Sequence, residues 1–101
     1  MPHPGQIEAQ EWVASETERV RAKSYRDLLP LVDNPIHYRV SSRTGRFLMG
    51  ETQAFDLPGK PDWLQVTVDI FEPQPGAVHA ITERTFFVAA DGSITDKSPL
   101  G

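Results

Sequence analysis

Residues 33–55 read DNPIHYRVSSRTGRFLMGETQAF, the passage where a helical pattern gives way to an alternating one. Asp33-Asn34-Pro35 is a turn signal. After it Ile36, Tyr38 and Val40 alternate with His37, Arg39 and Ser41, the period of two expected of a half-buried strand. Arg43-Thr44-Gly45 then suits a three-residue hairpin loop in which Gly45 takes the left-handed conformation, and a second strand follows from Arg46 to Phe55. The loop sets the register. Pairing Ser42 with Arg46 puts Val40 opposite Leu48, Tyr38 opposite Gly50 and Ile36 opposite Thr52. One face of the hairpin is then Ile36, Tyr38, Val40, Leu48, Gly50, Thr52 and Ala54, which needs a covering layer. The other carries His37, Arg39, Ser41, Phe47, Met49, Glu51, Gln53 and Phe55.

The covering layer lies upstream. Gln6 to Leu29 contains no Gly or Pro and is rich in helix formers, with its acids early (Glu8, Glu11, Glu16, Glu18) and its bases late (Arg19, Arg21, Lys23, Arg26), as the helix dipole favours. Ala9, Val13, Thr17, Val20, Ser24 and Leu28 form one narrow stripe of mostly small residues, flanked by Trp12 and Leu31. Pro30 sets its end. Downstream, Asp56 to Asp62 reads as a loop, and Trp63 to Glu72 as a strand burying Leu64, Val66, Val68 and Ile70. Pro73 to Gly76 turns the chain into a fourth strand, Ala77 to Ala90, whose Phe86-Phe87 leaves its register open. Asp91-Gly92 is another turn, after which Ser93 to Thr95 has the length of a short edge strand.

The expectation is therefore an α+β domain of two layers. One long N-terminal helix, about 6–29, packs on a curved antiparallel sheet of four strands, about 36–42, 46–55, 63–72 and 77–90, with a tail from 91 to 101. The order of elements resembles the cystatin-like architecture. Tyr25 through Leu28-Leu29, Asn34-Pro35-Ile36-His37-Tyr38, Thr44-Gly45-Arg46 and Ala90-Asp91-Gly92-Ser93 resemble small bacterial proteins of uncharacterised function. That resemblance spans about two-thirds of the chain and implies a fold but no activity.

The totals agree with one domain and narrow the chemistry. A chain of 101 residues supports one two-layer core. Fourteen Asp and Glu against ten Lys and Arg give a net charge of -4, which repels a phosphate backbone, so nucleic acid is not an expected partner. No apolar run is long enough to span a bilayer, and the first ten residues lack a leader pattern; we expect a cytoplasmic protein without a membrane partner. There are no cysteines, which removes thiolate nucleophiles and cysteine-held metals. His3, His37 and His79 lack metal-ligand spacing, and Thr44-Gly45-Arg46 and Pro58-Gly59-Lys60 fall short of a phosphate loop. No cofactor and no metal are expected.

What remains is the outer face of the sheet, where strand three adds Gln65, Thr67, Asp69 and Phe71, and a suitable fourth-strand register would add His79 and Glu83. His37 with Glu51 or Asp69 has the composition of an acid-base pair, but cross-strand charge pairing is the simpler account. Ser41, His37 and Asp69 make a triad only on paper, since no serine occupies a nucleophile elbow. Phe47, Met49, Phe55 and Phe71 on the same face read as an interface. The candidate interface is Phe47, Met49, Glu51, Phe55, Phe71, His37 and Arg39, with no catalytic residue. We expect a non-enzymatic interaction module docking a protein partner or a second copy as a homodimer. One alternative is a small-ligand binder or enzyme with a pocket under the helix lined by Val13, Val20, Leu64, Val66 and Val68; another is an immunity-type protein that neutralises a toxin. Trp12 and Trp63 read as packing residues.

Overall fold

A computed structural model describes residues 5–43, 45–73 and 80–100. It is α+β: helix α1, Gln6–Arg21; a single turn α2, Tyr25–Leu28; a 3-10 turn, Leu29–Val32; and five antiparallel strands, β1 Ile36–Ser41, β2 Phe47–Leu57, β3 Lys60–Phe71, β4 Ala80–Ala89 and β5 Ile94–Thr95, in the spatial order β1-β2-β3-β4-β5. Among the described residues no helix is long and apolar enough to cross a membrane.

The hairpin register is the one its loop dictates. Val40 pairs with Leu48, Tyr38 with Gly50 and Ile36 with Thr52, Ser42 N–H donates to the Arg46 carbonyl at 3.0 Å, and Gly45 has φ +80°. One face of the sheet packs on α1. Ala9 and Val13 of the helix meet Leu48, Val68 and Ile70, with Trp12, Val40 and Ile81 at the margin. Val20, Leu28 and Leu31 meet Ala54, Leu64, Val66, Phe86 and Val88. The helix runs obliquely across the strands: Trp12 rests on Gly50 of β2, and the Arg21 guanidinium lies 5.3 Å from the ring centroid of Phe86 in β4. A Cβ on Gly50 would fall 2.3 Å from Trp12 Cη2, so the absence of a side chain there seats the indole.

Several expectations need correction. The helix does not run unbroken from 6 to 29. It ends at Arg21, and Ser24 turns extended (ψ 162°) and caps α2, its hydroxyl accepting from Asp27 N–H at 3.1 Å. A serine on the apolar stripe is the break, because its side chain competes for backbone donors. The end expected near Pro30 does hold, since α2 stops at Leu28 and a 3-10 turn, Leu29–Val32, follows it. The loop expected over 56–62 is a tight turn at Pro58-Gly59, with Gly59 at φ +80°, so β2 reaches Leu57 and β3 begins at Lys60. Proline followed by glycine is the type II turn pattern, and it shortens the connection to two residues. The sheet has five strands, not four, since Ile94 and Thr95 pair with Val88 and Phe87. Of the fourth strand expected over 77–90, β4 covers Ala80–Ala89; residues 74–79, including His79, lie outside the described residues, as does His3.

Candidate functional site

The sheet face turned away from α1 carries the chemistry, and strand pairing arranges it in rows about 4.8 Å apart from strand to strand. The central row runs His37, Glu51, Asp69, Glu83 across β1 to β4. One step along the strands lies the row Arg39, Met49, Phe71. In the other direction come Gln53, Thr67 and Thr85, then Phe55, Gln65 and Phe87. The register of β4, which pattern alone left open, puts Glu83 beside Asp69 and sets Phe86 inward and Phe87 outward.

Each expected interface residue is on this face. His37 Nε2 is 2.6 Å from Glu51 Oε2, and Gln53 Nε2 donates to Glu51 Oε1 at 2.9 Å, so both oxygens of Glu51 are engaged. The Arg39 guanidinium lies 4.4 Å from the Phe47 ring centroid, a cation-π contact. Met49, Phe47 and Phe71 are half-buried, and Phe55 is 42% exposed. Thr67 and Thr85 share a hydroxyl hydrogen bond at 3.2 Å. Ser41 is four residues from His37 along β1, on the order of 13 Å, so the paper triad does not assemble.

Asp69 is the residue the sequence undervalued. It is flanked in register by Glu51 and Glu83, and its Oδ1 is buried with no hydrogen-bond partner. Burial, then the nearby charges of Glu51 and Glu83, push its carboxyl up to about 6, against a smaller opposing pull from His37. The signal was present as three acids at outward positions of three strands, but reading it required the β4 register. Among the described residues no group of three or more His, Cys, Asp or Glu is arranged to hold a metal ion.

Among the described residues the inner face holds a polar cluster, unforeseen as such. Glu16, 7% exposed, accepts from Arg19 Nε and Nη2, both at 2.7 Å, and from the Thr52 hydroxyl at 3.0 Å, while Arg19 also donates to the Tyr38 hydroxyl at 2.9 Å. Burial alone would raise the Glu16 carboxyl, but hydrogen bonds from Arg19 and Thr52 hold it below the ordinary glutamate value. Tyr38 and Thr52, polar groups on the inward side of the hairpin, were the clue. The apolar residues suggested as a pocket lining are packed shut, Val13, Val20, Leu64, Val66 and Val68 each being 1% exposed or less. Open grooves lie instead at the rim of the helix, one of about 420 Å³ lined by Thr17, Glu18, Arg21, Arg84, Thr85 and Asp96 and bridged by an Arg21–Asp96 ion pair of 2.6 Å.

No family model, curated protein or solved structure matches this chain.

Proposed function

We propose that this chain is a cytoplasmic, non-enzymatic protein-interaction module, built on a cystatin-like arrangement of helix and sheet, that docks its partner through the outer face of the sheet. The observation that carries the reading is the composition of that face. Phe47, Met49, Phe55 and Phe71 sit beside a row of ionisable groups, on the side of the sheet opposite the helices. Apolar side chains ringed by polar ones gain most from being covered by another protein surface. Catalysis is a poorer account. Glu51 is committed to His37 and Gln53, Ser41 is remote, and the helix-sheet interface, where a substrate pocket would lie, is close-packed.

Photo-crosslinking in the native host tests this whatever the identity of the partner. A photoreactive amino acid replacing Met49 should give a discrete protein adduct, and the same residue at Gln10, exposed on α1, should give none. Absence of an adduct from position 49 and equally from position 71 refutes the assignment of the face.

A further inference from the structure

The outer face is ordered in charge across its strands. From β1 to β4 the central row reads imidazole, carboxylate, carboxylate, carboxylate, and Arg39 adds a second basic group on the β1 side. Basic groups therefore occupy one flank and acids the middle and the other flank. Such a surface complements itself under a particular symmetry. A two-fold axis lying between two facing sheets, parallel to the strands and over the β2–β3 boundary, sets β1 of one copy over β4 of the other and β2 over β3. Aligned sheets pack about 10 Å apart and cross at about 30°, so the correspondence is best near the axis.

In that arrangement His37 faces the partner's Glu83, and Met49 faces the partner's Phe71, each contact occurring twice. These contacts favour association. Glu51 faces the partner's Asp69, and two ionised carboxylates brought together away from water oppose it. Geometry within one copy identifies which acid can yield its charge. Both oxygens of Glu51 are already hydrogen-bonded, one to His37 and one to Gln53, whereas Asp69 has a buried, unpartnered Oδ1. The ionisable groups facing Asp69 are His37 on β1, Glu51 on β2 and Glu83 on β4; α1 and α2 lie on the far side of the sheet.

We propose that the partner is a second copy of this chain, paired face to face about this two-fold axis, and that a proton on Asp69 admits the pairing. The proposal rests on the reading of the outer face as an interaction surface, and adds its occupant and its control. A neutral Asp69 carboxyl donates its O–H to the partner's Glu51, whose engaged oxygens each keep a lone pair, so the opposed pair becomes a charge-assisted hydrogen bond. The upward shift of Asp69 places this change near neutrality instead of in strong acid. Because the dimer holds the proton more tightly than the monomer, lowering the pH favours it.

Size-exclusion chromatography with light scattering over a concentration series provides the test. The molecule nears its pI of about 5.2 in mild acid, which lowers all repulsion, so the deciding sample is Asp69→Asn at about pH 7.5. There it should dimerise at least about tenfold more tightly than wild type, and wild type should gain a similar factor on moving to about pH 5.8. Adding Met49→Lys to Asp69→Asn should restore the monomer, and Glu83→Lys, which opposes His37 across the axis, should weaken the dimer. Should Asp69→Asn fail to melt cooperatively, Asp69→Ser at the same pH, which also removes the charge and keeps a hydrogen-bond donor, takes its place. A monomeric Asp69→Asn protein alongside a heterologous adduct from position 49 overturns the second copy and leaves the interaction reading standing. With neither dimer nor adduct, both fall. A dimer indifferent to Met49→Lys places the contact elsewhere and overturns the proposed pairing.

Discussion

Asp69 and Glu16 lie on opposite sides of the sheet, and their surroundings drive them in opposite directions. Asp69, short of donors and flanked by like charges, has its carboxyl raised to about 6; Glu16, held by Arg19 and Thr52, has its own lowered. The consequences for stability have opposite signs. A raised carboxyl binds its proton more tightly in the folded chain, so the Asp69 contribution is present in acid and lost as pH rises from about 4 to about 6. Replacing Asp69 with Asn should therefore stabilise the fold relative to wild type by a margin that grows through that window, to about 1 kcal/mol after allowing for solvent screening of a partly exposed group. Urea melts at a series of pH values, at concentrations low enough to keep the chain monomeric, measure this; a margin independent of pH would mean Asp69 ionises normally. The inward alternation of the first hairpin was legible from the chain because a period of two and a loop containing Gly45 leave little choice. The state of Asp69 was not, since it depends on neighbours contributed by two other strands.

At the scale of elements, the Glu16 cluster pins α1 to the first hairpin. Arg19 spans from Glu16 to Tyr38, and Thr52 meets Glu16 from β2, so three elements share one buried carboxylate. Glu16→Gln keeps the shape but weakens the bidentate pairing, and should cost about 1–3 kcal/mol near neutrality. A lowered carboxyl contributes stability above the ordinary glutamate value, about 4.3, and loses it as pH falls through the lower folded value, so the gap between variant and wild type should close in acid. Chemical melts at neutral and acid pH test this, and a gap that persists in acid would assign the loss to packing. Sequence periodicity located α1 and the i,i+3 spacing of Glu16 and Arg19, yet a pair of that kind is usually a solvated surface feature. Only the position of β1 and β2 beneath it makes it internal. The break at Ser24 was obscured similarly: the apolar stripe continues through Leu28, and the serine reads as part of it until its hydroxyl is seen capping α2.

At the scale of the molecule, the sheet is a meander: each strand pairs with the strand next to it in the chain, in the order β1-β2-β3-β4-β5. The fold class was accessible from the sequence for that reason, because short connections between alternating segments give antiparallel neighbours. The Pro58-Gly59 turn was not, since proline, glycine and charge mark a two-residue turn and a longer loop alike. The meander also sets an order in time. Hairpins between neighbouring strands close small loops and form early, whereas α1 packs on residues as distant in the chain as Phe86 and Val88. Truncating the buried Val20 to Ala should then cost roughly 1–3 kcal/mol, appearing mainly as faster unfolding with refolding little changed. Stopped-flow chevrons would show it, and slowed refolding would place the helix in the nucleus. On the ribosome the same order runs backwards: α1 is synthesised before the strands and meets its complete binding surface last. Until β4 arrives, the Val20 end of its apolar stripe lacks Phe86 and Val88, and in that interval the nascent chain is open to chaperones and to mistaken contacts.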